Sequence, residues 1–111
     1  MITDPIAQYF LDRYVDKIRQ DYQPCELWLW GSRVYGQPKE DSDLDCVIVS
    51  SKFSDVRKIR RSYEFQKSIG KIADRRGFAL NSFCFTPEEF QQKKTDPWMM
   101  RDLFEKGLRV I

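Results

Sequence analysis

Histidine is absent from all 111 residues, and that gap excludes a good deal of chemistry. Without an imidazole there is no histidine general base, no Ser-His-Asp triad and no histidine-containing zinc site. Cysteine is scarce as well: Cys25, Cys46 and Cys84 form an odd set with no Cys-x-x-Cys spacing, each in or beside an apolar segment. They read as reduced, buried thiols of a cytoplasmic protein, not as disulfides or metal ligands. Long apolar runs are missing too, since the stretch around Leu27, Trp28, Leu29 and Trp30 falls far short of the ~20 residues that cross a bilayer. No basic, apolar and small-residue leader opens the chain, so a cytoplasmic location with no membrane contact is expected. Nor does one sign of charge dominate. Nineteen basic residues against seventeen acidic ones leave +2, too mild to hold duplex DNA by field alone. The remaining chemistry belongs to carboxylates, hydroxyls, basic side chains and backbone amides.

What is present suffices for one folded domain over residues 1–111, with 41% apolar and 32% charged residues and no disorder signature. Residues 4–22 have helical spacing, with Asp4 as cap, Pro5 at the first position, and Ile6, Phe10, Leu11, Tyr14, Val15 and Ile18 along one face. Residues 25–30 (CELWLW) read as a buried strand, broken by Gly31-Ser32, with a short helical turn over 33–35. Residues 44–50 (LDCVIVS) give a second strand. The spacing predicts a helix over 54–74 with Ser54 as cap and Val56, Ile59, Tyr63, Ile69 and Ile72 inward; Arg57, Lys58, Arg60, Arg61 and Lys67 take the remaining face. Residues 78–85 form a third strand, Thr86-Pro87-Glu88-Glu89 is a capping box, and Asp96-Pro97 starts a last helix closed by Gly107. Residues 108–111 add an edge strand. The fold class is α/β (α+β), a mixed sheet flanked by helices.

Chemistry concentrates between Trp30 and Val49, where Gly31-Ser32 is followed, after a gap of ten residues, by Asp43-Leu44-Asp45 running into a strand. A rise of ~3.4 Å per residue puts Asp43 and Asp45 on one strand face, about 6.8 Å apart. Two aligned carboxylates suit Mg²⁺, which takes one or two of them and leaves its other positions to water and phosphate. A strand handing over to a helical turn leaves backbone N–H groups unpaired, so Gly31 and Ser32 can receive phosphate oxygens, and Arg33 can add a charge-assisted bond. Together these describe a site for a Mg-nucleoside triphosphate.

Gly31-Ser32-Arg33, Gly36 and Ser42-Asp43-Leu44-Asp45 resemble the signature of the minimal nucleotidyltransferases, small members of the DNA polymerase beta-type nucleotidyltransferase superfamily. The likeness extends over roughly residues 5–111. It implies the nucleotidyltransferase fold and transfer of AMP from ATP, with Gly31, Ser32, Arg33 and Ser42 at the nucleotide and Asp43 and Asp45 on Mg²⁺. It further implies a macromolecular acceptor, a tyrosine of a partner HEPN-type toxin, in a toxin–antitoxin pair. The family's third carboxylate position falls on Asn81. That substitution leaves three readings open: slowed transfer, an acid supplied by Asp41 or by a partner, or a nucleotide-binding, toxin-masking module without transfer.

Two other features keep two readings each. The basic residues over 57–76 are a solvated helix face or a docking surface for an acidic partner or RNA. Trp28, Trp30, Phe83 and Phe85 are core residues or a platform for adenine.

Overall fold

The computed structural model describes residues 2–95 and 100–111. Helix α1 (Pro5–Tyr22) starts as its sequence dictates: Asp4 accepts the Ala7 N–H at 2.9 Å and Pro5 occupies the first turn. Strands β1 (Cys25–Trp30) and β2 (Leu44–Ser50) pair antiparallel and are separated by the four-residue helix α2 (Ser32–Tyr35). After a 3₁₀ turn over Ser51–Asp55, helix α3 (Lys58–Ser68) crosses over to β3 (Leu80–Phe85), which lies parallel to β2. Helix α4 (Pro87–Lys93) opens on the expected capping box of Thr86 and Glu89. Helix α5 (Met100–Lys106) leads into β4 (Leu108–Arg109), antiparallel to β1. The helix start expected at Asp96-Pro97 lies outside the described residues. The sheet order is β3-β2-β1-β4, a mixed sheet flanked by helices.

Alternation along the strands splits the core in two. Leu27, Leu29, Cys46, Ile48 and Leu80 face α1 and α3, where Phe10, Tyr14, Ile18 and Phe65 complete one cluster. Val47 and Val49 face the other way, onto Phe90, Met100 and Leu103, with Trp28, Trp30, Phe83 and Phe85 around them. Cys46 is fully buried and Cys25 and Cys84 half-buried; burial pushes the Cys84 thiol up to about 12, so all three are poor nucleophiles. Among the described residues, no helix is long and apolar enough to cross a membrane.

The crossover helix departs from its sequence pattern. It covers Lys58–Ser68, not 54–74, and Ser54 lies in the preceding 3₁₀ turn. Gly70, at φ +87°, ends it, with Gly70 N–H on the Lys67 carbonyl and Lys71 N–H on that of Gln66. Its inner face is different as well. Ile59 is 89% exposed and Tyr63 and Ile72 about half, whereas Arg61 and Phe65 are buried. The reason is the unpaired outer edge of β3. Gln66 donates to the Leu80 carbonyl, Arg61 to the Cys84 carbonyl, and Ser62 meets Ser82 at 2.6 Å, so polar side chains must face inward. Arg61 also holds Glu89 at 2.6 Å, tying α3 to α4.

The loop after α3 returns through Asp74, whose carboxylate accepts the phenol hydroxyls of Tyr9 and Tyr14 on α1 and the Arg76 N–H. Burial opposes the Asp74 charge, but the Tyr14, Arg76 and Tyr9 bonds outweigh it and hold the carboxyl at about 2, below the ordinary 3.8. Glu89 behaves alike: burial raises it, while Arg61 and the Thr86 N–H pull it to about 2 from 4.5.

Two outcomes are expected. Phe65→Ala will lower the unfolding free energy by about 2–5 kcal/mol in urea titrations, while Ile59→Ala on the same helix will change it by about 0.5 or less. A folded pKa below the unfolded one contributes stability above the unfolded value and loses it as pH falls through the folded one. Melting temperature will therefore drop between about pH 4.5 and 2, and Asp74→Asn and Glu89→Gln will each flatten that drop.

Candidate active site

Three strands bring the candidate residues into one row. Trp30 pairs with Asp45, and Asp45 pairs with Asn81, so these three side chains stand abreast on the α4/α5 face. The next row inward, Trp28, Val47 and Phe83, is apolar and covered by the helices. The sheet thus changes from packed core to open polar end within one pleat. Asp43, two residues before Asp45, lies exposed on the same face, and Asp45 is half-buried.

Asn81 joins the two acids directly. Its Nδ2 donates to Asp43 Oδ2 at 3.0 Å and to Asp45 Oδ1 at 2.9 Å. An electropositive group therefore already sits between the carboxylates, where a cation would be held. This donor set fits Mg²⁺, with Asp43 and Asp45 as anionic ligands; Asn81 would have to turn its amide oxygen inward to contribute. Among the described residues, no third His, Cys, Asp or Glu joins them, so Asp41 does not complete a carboxylate trio.

Gly31 ends β1 beside Asp45, at φ +96° and ψ −170°, a region essentially closed to other residues. A Cβ there would lie 2.6 Å from Asp45 Oδ2. Glycine thus meets two demands, the sharp exit from the strand and the approach of the carboxylate. Its carbonyl accepts the Val34 and Tyr35 N–H groups, the first turn of α2, and leaves the half-buried Ser32 at the start of that turn.

Arg33, expected to bond phosphate, does something else. It is 7% exposed, and its guanidinium is taken up by Asp4 Oδ1 (2.9 Å) and by the carbonyls of Ser42 (2.8 Å), Glu40 (2.9 Å) and Lys39 (3.2 Å). Ser42 is likewise committed to the loop, its Oγ accepting the Lys39 N–H at 2.8 Å. Both residues brace the loop that carries Asp43. Sequence reasoning missed this because the partners of Arg33 are main-chain carbonyls, which leave no trace in residue identity. Trp30 meets Phe83 at 5.6 Å with tilted rings, so it is part of the packing at the site's inner border.

A cavity of about 420 Å³ lies farther along β3, between α3 and α4, with Lys58, Arg61, Ser62, Phe83, Glu89 and Lys93 in its wall. Neither Asp43, Asp45 nor Asn81 lines it.

A glycine turn thus closes on a carboxylate pair at an open sheet end, and comparison with known proteins supplies the class of protein that carries it. The model of the nucleotidyltransferase domain family matches residues 11–103, and the chain belongs to that family, within the DNA polymerase beta-type superfamily. A solved structure described as "Crystal structure of putative nucleotidyltransferase" is 29% identical, with a TM-score of 0.52 over 87% of this chain and 94% of that one. A Haemophilus influenzae protein described as the DNA-binding transcriptional regulator BolA is 31% identical over 84 residues, 73% of this chain and 82% of its own. The family's general chemistry is nucleotidyl transfer, with a nucleoside triphosphate as substrate.

Two substitutions separate the roles at this site. Arg33→Met will cost about 3–5 kcal/mol of unfolding free energy in denaturant titrations, because it strands buried Asp4 and three carbonyls. Gly31→Ala will cost about 1–3 kcal/mol of unfolding free energy through backbone strain and displacement of Asp45, with circular dichroism showing a retained fold.

Proposed function

We propose that this chain is a Mg²⁺-dependent nucleotidyltransferase that moves AMP from ATP to a hydroxyl on a macromolecule, with a tyrosine of a HEPN-type toxin as acceptor and an antitoxin role. The observation that carries the nucleotide reading is the Asp43–Asn81–Asp45 row beside Gly31. The acceptor oxygen would bond to the α-phosphorus as the bond from that phosphorus to the bridging oxygen breaks, releasing pyrophosphate. Asp43 and Asp45 would hold Mg²⁺, which would neutralise charge on the transferring phosphates. Gly31 and Ser32 cradle phosphate oxygens on backbone N–H groups. The acceptor's proton needs another base than Asn81, whose amide accepts none.

Asn81 also supports a second reading, a nucleotide-binding or toxin-masking module without transfer, since it replaces the site's third carboxylate by a neutral group. A third reading, nucleic-acid binding, has Arg57, Lys58, Arg60 and Lys67 exposed along α3 and the printed description of the H. influenzae relative in its favour.

Incubation of the protein with Mg²⁺ and α-labelled ATP in a host lysate will place label on one macromolecule, and Asp43→Asn/Asp45→Asn will abolish it. Labelling restricted to Asn81→Asp would establish the binding module instead. Salt-sensitive RNA binding that survives Asp43→Asn, with no label under any condition, would establish the third reading.

A further inference from the structure

With Arg33 withdrawn into the loop, the triphosphate expected at Gly31-Ser32 lacks the cationic side chain that the sequence assigned to it. Another cation stands at the end of α5. Strand β4 pairs Leu108 with Leu29 and Arg109 with Trp28, so the chain just before β4 runs beside the exit of β1, where Gly31 begins. Gly107 secures that approach: a Cβ there would lie 2.4 Å from the Leu103 carbonyl oxygen and 3.1 Å from that of Leu29. The residue before it, Lys106, consequently overhangs α2. Its Nζ lies 5.7 Å from the ring centre of Tyr35, three residues beyond Ser32. Among the described residues, Lys106 makes no ion pair, whereas Arg101 of the same helix is bonded to Glu105.

We propose that Lys106 supplies the positively charged contact to the phosphates of the bound nucleoside triphosphate, with Tyr35 as the positioning residue that holds the ammonium over α2. This rests on the nucleotide reading given above. A lysine on a flexible four-carbon stem can leave the ring face and reach a phosphate oxygen at the neighbouring turn, as a point charge with three donors. One charge-assisted bond of this kind is worth about tenfold in affinity. A lysine in the last turn of a helix can also serve only to complement that helix's negative end, so the test must separate binding from stability.

Calorimetric titration of the full chain with Mg-ATP and with Mg-tripolyphosphate does so, with thermal melts alongside. Lys106→Met is expected to weaken both ligands about tenfold with an unchanged melting temperature. Lys106→Arg should stay within about threefold of wild type, as should Tyr35→Phe, which keeps the ring. Lys52→Met, which removes the same charge beyond the opposite end of β2, should bind as wild type does. Binding by Lys106→Met within twofold of wild type would overturn the proposal. So would a loss by Lys106→Met that only tracks a lowered melting temperature, which assigns Lys106 to the end of α5 alone. Failure of wild type itself to bind either ligand would instead overturn the nucleotide reading, and this proposal with it.

Discussion

The guanidinium of Arg33 is the joint on which the candidate site is built. Four bonds from one planar group collect the start of α1, through Asp4, and three carbonyls of the loop that carries Ser42 and Asp43. Asp4 has a second duty, since its other oxygen caps α1. The helix start, the loop and the carboxylate pair are therefore positioned by one contact set. Arginine suits this work better than lysine because its fork spreads fixed donors over several acceptors at once. The loop between α2 and β2 has no helix or strand of its own, and this arginine supplies the donors that fix three of its carbonyls.

The fold was largely legible in the residues because local chemistry agreed with global packing. Asp4-Pro5, the CELWLW and LDCVIVS runs and the Thr86–Glu89 box each have a physical meaning that needs no tertiary partner, and each element lies where those signals put it. The crossover helix was misread for a definite reason. Periodicity assumes that apolar residues face inward, but here the neighbour is a strand edge with unpaired carbonyls, and it selects Arg61, Ser62 and Gln66 over Ile59 and Tyr63. At the site, the family resemblance pointed to Asn81 as the third-carboxylate position, and the register of β2 with β3 pairs it with Asp45. The commitment of Arg33 was beyond reach, since main-chain acceptors are the same for every residue.

The row of Asp43, Asn81 and Asp45 is self-satisfied as it stands. One amide offers two N–H groups to two acceptor-only neighbours, so the open end of the sheet carries no direct clash of like charges. An aspartate at position 81 would bring three acceptors together and rely on cations to hold them. The amide lowers the dependence of the row's geometry on metal, and with it the charge available to activate an acceptor hydroxyl. Architecture and chemistry are set apart at this position, because the packing beneath, Val47 and Phe83 under α4 and α5, does not change with the residue above it.

The polar lining of α3 has a consequence for the sheet as a whole. A β-edge with free carbonyls is a template on which further strands can grow, from the same protein or another. Here the Leu80 and Cys84 carbonyls are already occupied by side chains of α3, and Arg61 is anchored in turn by Glu89. The opposite edge is the short β4, two residues long. Lateral growth of the sheet is thereby blunted at one side by borrowed donors and at the other by brevity.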